Sequence, residues 1–205
     1  MKVLGIDPGS RRTGFGVIEV TGRTTRALAF GVLPGTGDSL PARLVAIGTA
    51  LDLVLDEQLP DLVSVEQAFH SNNPRSTLVL GQVRGLVLWL AARRGLPIHE
   101  FAPRSVKLSV TGRGGAGKPQ VAAMVRRLLG LERTPVADAA DALAVALCCA
   151  RRSALTAAAP RASRTARAAD GATIDLARAF APVRRKAEAK ALAGLVEASR
   201  LRRTR

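Results

Sequence analysis

Alternating and continuous apolar runs divide the first 150 residues into strands and helices. Val3 to Ile6 and Gly14 to Val20 are short, apolar and rich in β-branched residues, and the Pro8-Gly9 step between them is a strong turn signal, so they predict a hairpin. A third strand is expected within Thr25 to Leu33, ahead of the breaker run Pro34-Gly35-Thr36-Gly37. Ser39 then caps a helix whose Leu40, Leu44, Ile47, Leu51 and Leu55 share one face. A buried strand follows at Leu62 to Val65, then a polar loop, then a helix from about Ser76 to Arg94, ended by Gly95. In that helix Gly81 and Gly85 are one turn apart and leave room for another backbone. Pro97 to Phe101 reads as a short strand, and Pro103 opens a helix reaching about Val110. Gly112 to Gly117 reads as a flexible loop. Pro119 suits the first turn of the next helix, and a last core helix starts near Ala137. Three strands in meander followed by alternating helix and strand predict an α/β protein, a mixed five-stranded sheet with helices on both faces. Right-handed crossovers would set the fourth strand parallel to the first.

The composition adds a partner class. The chain has 205 residues, 47% of them hydrophobic, enough for one core and an extension, and a net charge of +15. The charge is uneven: residues 151–205 hold fourteen of the 31 Lys and Arg but only four of the 16 Asp and Glu. The expected division is a compact domain over residues 1–152 and a mobile, basic Ala/Arg-rich extension over 153–205. Such an arm suits a polyanion, although a solvated terminus without a specific role fits the same composition. Its best helical candidate runs from Val183 to Leu201. Cys148 and Cys149 are adjacent on a helical stretch, where neighbouring side chains diverge, so they read as buried thiols of a reducing, cytoplasmic compartment. The most apolar stretch, Leu78 to Ala92, is interrupted by Gln82 and Arg84 and is shorter than a bilayer span, so no membrane role is expected.

Four carboxylates carry the candidate chemistry. Asp7 and Glu66 each end an apolar strand, and Asp138 and Asp141 are three residues apart on one helix face. Each has a plain alternative when taken alone. Asp7 fits a turn aspartate, Glu66 a strand-end glutamate in solvent, and Asp138 a first-turn acid favoured by the helix dipole. Asp141 is harder to explain so, because the apolar residues around it supply no base at i+3 or i+4. Four acids brought together would protonate unless a cation held them ionised, and an all-oxygen site suits Mg²⁺ or Mn²⁺.

Together, Gly5-Ile6-Asp7-Pro8-Gly9, Val65-Glu66-Gln67-Ala68-Phe69, Leu80-Gly81-Gln82-Val83-Arg84-Gly85, Val106-Lys107 with Lys118 beyond a glycine loop, and Asp138-Ala139-Ala140-Asp141-Ala142-Leu143-Ala144 resemble the RuvC family in order and spacing over about residues 1–150. These are crossover junction endodeoxyribonucleases of the ribonuclease H-like superfold. The resemblance implies that Asp7, Glu66, Asp138 and Asp141 are catalytic and bind two Mg²⁺ ions, with Mn²⁺ able to substitute. It implies paired symmetric nicks in four-way (Holliday) junction DNA, leaving 5′-phosphate and 3′-hydroxyl ends, in recombination and repair. It further implies a homodimer, expected around the Gly81 and Gly85 helix, and RuvA and RuvB as branch-migration partners. Lys107 and Lys118 match basic residues that bind DNA near the scissile phosphate. Phe69 would wedge into or stack on an opened base step, and Arg75, in the same loop, would contact a phosphate; core packing for Phe69 and a solvated Arg75 are the bland alternatives. His70 and His99 carry little signal.

Two rival functions leave marks that can be looked for. A phosphotransferase or ATPase of the actin-like superfold would share Gly5-Ile6-Asp7-Pro8-Gly9 but needs a second phosphate loop, which is not found. A noncatalytic junction-binding protein would lack one of the four acids, and all four are present. Gly112 to Lys118 approaches the P-loop pattern and fails at Pro119, where a Ser or Thr is needed.

Overall fold

In the computed structural model, residues 1–67 and 73–158 are described, so Phe69, His70 and the extension beyond 158 lie outside the described residues. The elements follow the expected order: β1 (Lys2–Asp7), β2 (Arg12–Thr21), β3 (Thr24–Pro34), α1 (Leu40–Gln58), β4 (Leu62–Glu66), α2 (Pro74–Arg93), β5 (Ile98–Phe101), α3 (Pro103–Thr111), α4 (Lys118–Leu128) and α5 (Ala137–Ala158). The five strands form one sheet in the order β3-β2-β1-β4-β5. β1 pairs antiparallel with β2 and parallel with β4, and β5 adds parallel to β4.

Strand parity decides what faces what. On β1, Leu4 and Ile6 pack with α1 and α2, whereas Val3 packs with α3, α4 and α5. Because side chains alternate, Gly5 and Asp7 share the face of Val3. On β4, Leu62 lies on the α5 side and Val63 and Val65 on the other, so Glu66 also faces α5. Ile6 pairs with Val65 in the parallel register, which sets Asp7 level with Glu66 at the carboxyl edge of the sheet.

The close seating of α5 comes from glycines. A Cβ on Gly5 would fall 2.1 Å from the Ala142 carbonyl oxygen, one on Gly14 2.0 Å from that of Asp138, and one on Gly16 2.7 Å from the Leu143 side chain. Gly5 and Gly16 are cross-strand partners, so the three make a trough across β1 and β2. Residues Ala139 to Ala150 on α5 are buried except Asp141. The small side chains complete a helix-on-sheet contact at backbone distance.

The remaining differences from the sequence reading have local causes. α2 starts two residues early because the Asn73 side chain caps it, accepting from the Arg75 N–H at 2.9 Å, with Pro74 in the first turn. Arg75 therefore sits on the helix and not in the loop. Gly81 and Gly85 meet no other backbone among the described residues. The loop expected to be flexible is a structured link: Gly112 takes φ +75° to cap α3, Gly114 packs on Arg104, and Ala116 is buried. α5 runs on to Ala158, through the boundary expected at 152.

Candidate active site

Asp7, Glu66 and Asp141 line one open cleft of about 220 Å³, with Lys107, Lys118, Pro103, Val106, Val121 and Ala144 completing its wall. Each element contributes for a stated reason. β1 and β4 end level in the parallel register, and α5 is drawn onto β1 and β2 by the glycine trough. Lys107 projects from α3, and Lys118 begins α4, whose N-terminus is closed by the Gln120 side chain accepting from the Gly117 N–H at 3.0 Å.

The electrostatics show how costly this gathering is. Burial, followed by the negative charges of Glu66 and Asp141, pushes the Asp7 carboxyl from 3.8 up to about 8. Glu66 is also raised, chiefly by burial, against the opposing pull of its hydrogen bond with Asp7 and of Lys118 and Lys107. Without a cation the two carboxyls therefore share a proton.

The two α5 acids are neutralised by bases remote in sequence. Lys118 Nζ donates to Asp141 Oδ2 at 2.9 Å, and this hydrogen bond and the Asp141 charge raise the Lys118 ammonium. Asp141 thus has the partner that its own helix does not supply. Arg12 Nε donates to Asp138 Oδ2 at 2.6 Å, which holds Asp138 at the rim of the cleft and outside its lining. Among the described residues no group of three or more His, Cys, Asp or Glu is drawn close enough to enclose a cation. Asp7, Glu66 and Asp141 line the cleft, and Asp138 lies beside it, tied to Arg12.

The donor set nevertheless fits a hard divalent cation. It consists of carboxylate oxygens, two of them on buried strand ends where ionisation is penalised, beside two basic side chains that occupy the remaining acids. Arg12 is the site residue not singled out from the sequence. The hairpin register carried the signal: Arg12 and Gly14 share a strand face, and Gly14 lies under Asp138. Arg75 is exposed on the first turn of α2 and does not line the cleft. Cys148 and Cys149 are buried, as expected, and burial raises both thiols, Cys149 to about 11. No described helix is long and apolar enough to cross a membrane.

A five-stranded mixed sheet in the order 3-2-1-4-5, with carboxylates at the ends of its first and fourth strands and on a helix laid over them, defines a ribonuclease H-like protein with an acidic site. Residues 3–149 match the family model of the crossover junction endodeoxyribonuclease RuvC. The chain is 48% identical to the crossover junction endodeoxyribonuclease RuvC of Actinobacillus succinogenes over 71% of its own length and 76% of the relative's. To that of Marinobacter nauticus it is 47% identical, over 71% and 83%. It superposes on Thermus thermophilus RuvC in complex with a Holliday junction substrate with TM-score 0.72 and 34% identity, covering 76% of this chain and 96% of that one. The chain belongs to the RuvC family.

Proposed function

We propose that the protein is a homodimeric, Mg²⁺-dependent endonuclease that resolves four-way DNA junctions by paired symmetric nicks, in company with RuvA and RuvB branch-migration proteins in the cytoplasm. The carrying observation is the convergence of Asp7, Glu66 and Asp141 with Lys107 and Lys118 on one cleft. Metal dependence is general in the RuvC family. Two divalent ions would supply an activated water and stabilisation of the departing 3′ oxygen in an in-line displacement at phosphorus. That chemistry needs no nucleophilic side chain.

The chain's own part is to hold and orient. Asp7 and Glu66 offer oxygens from rigid strand ends, and Asp138 and Asp141 offer theirs from the first turns of α5. Lys118, at 69% exposure, and the half-buried Lys107 place positive charge where a scissile phosphate would enter. Arg75 extends the basic surface along the duplex, and Phe69 unstacks a base step at the crossover. The water oxygen bonds to phosphorus as the bond to the 3′ oxygen breaks, leaving a 5′-phosphate and a 3′-hydroxyl.

The test is incubation of the protein with a synthetic mobile four-way junction and a linear duplex, each with Mg²⁺ or with chelator. Paired nicks at symmetric positions in the junction, absent from the duplex and from both chelated reactions, are expected. Equal cutting of the duplex, or cutting that survives chelation, would overturn the reading.

A further inference from the structure

Among the described residues, Arg12 is the basic side chain at the site that lies on the sheet rather than on a helix, and it is committed to a carboxylate. It sits at the start of β2, on the strand face that Gly14 turns to α5. Its Nε is 2.6 Å from Asp138 Oδ2, with the guanidinium side chain 62% exposed and the Asp138 side chain 26% exposed. The pair therefore joins a solvent-facing side chain to an acid whose backbone carbonyl packs on Gly14.

We propose that Arg12 is a positioning residue which competes with a divalent cation for Asp138. While the guanidinium occupies Oδ2, Asp138 stays at the rim and its charge is already compensated. A cation taking up Asp138 must displace Arg12, and the displaced guanidinium is released at the mouth of a cleft that already carries Lys107 and Lys118. Arg12 thereby weakens metal loading of the free protein. A phosphodiester backbone that draws the guanidinium away would favour loading, and loading would tighten the hold on that backbone by the same factor, because the coupling is reciprocal. The inference rests on the reading of the carboxylates as a divalent-cation site.

The experiment is a calorimetric titration of Mn²⁺ into the full-length protein without DNA, comparing wild type with Arg12→Gln, Arg12→Lys and Arg11→Gln. Arg11 is the control for net charge. It is exposed, adjacent in sequence, and its side chain makes no ion pair among the described residues. Arg12→Gln should bind Mn²⁺ about 2–5-fold more tightly, the range set by loss of one exposed ion pair. Arg12→Lys should return towards wild type, and Arg11→Gln should stay near it. The exposure of Arg12 makes a folding defect avoidable, and a thermal melt of each variant verifies it. Unchanged affinity in Arg12→Gln, or an equal gain in Arg11→Gln, would overturn the competition while leaving the metal site intact. Absence of Mn²⁺ binding in every variant would overturn the metal-site reading and this inference with it.

Discussion

At the scale of single residues, the site is a set of charges held against their preference. Burial and the neighbouring acids push the Asp7 carboxyl from 3.8 up to about 8 in the folded chain, so folding favours its protonated form. Stability from this group is fully present below the lower value and is lost as pH rises through the upper one. Asp7→Asn removes that loss. In chelator the variant should therefore melt with the wild type near pH 4 and above it near pH 9. One unit of displacement corresponds to about 1.4 kcal/mol, and each kcal/mol moves the melting temperature of a chain this size by about 2–4 °C. Identical melting curves at both pH values would contradict the shared proton. Strand ends and an i, i+3 spacing marked the acids as candidates, and the fold brings Asp7, Glu66 and Asp141 to one cleft. Their partners were not legible. Arg12 is 126 residues from Asp138 and Lys118 is 23 from Asp141, separations that only the fold closes.

Among the elements, α5 is what turns strand-end acids into a site, and its position depends on the trough beneath it. At Gly14 the space is taken by the α5 backbone and at Gly16 by Leu143. Helix position was illegible because periodicity gives a helix its face but not its distance from a sheet. Gly14→Ala would set a methyl 2.0 Å from the Asp138 carbonyl oxygen, an atom that cannot swing aside. The first turn of α5 must then lift, costing about 1–3 kcal/mol as overpacking does. Displacement of catalytic groups by about 1 Å costs on the order of 100-fold in rate. The variant should thus lose several degrees of melting temperature, keep junction binding and cut far more slowly. A variant that melts and cuts like the wild type would refute the role assigned to the trough.

For the whole molecule, the strand meander and the parallel setting of β4 against β1 were legible from turn signals and crossover handedness, whereas the place of β5 and the surface that α2 leaves uncovered were not. Leu78 is 70% and Trp89 49% exposed, and they lie on the same side as Gly81 and Gly85, over which the described residues leave open space. Arg84 Nη2 donates to both Glu100 carboxylate oxygens and ties the flank of α2 to β5, so the apolar face is presented by a fixed helix. A two-fold pairing there would set two clefts for two strands of a junction. Leu78→Glu should give a monomer by sedimentation equilibrium and turn paired nicks into single ones; an intact dimer would move the interface elsewhere. The central claim, that acids from β1, β4 and α5 do the cutting while bases do the binding, is tested most directly on Asp141→Asn, assayed on one four-way junction by gel shift and by cleavage in Mg²⁺. Junction affinity close to wild type with cleavage reduced at least about 100-fold is the result expected for loss of a metal ligand, given that residues merely supporting such ligands cost about 10–100-fold. Cleavage near the wild-type rate, or loss of binding and cleavage in step, would contradict it.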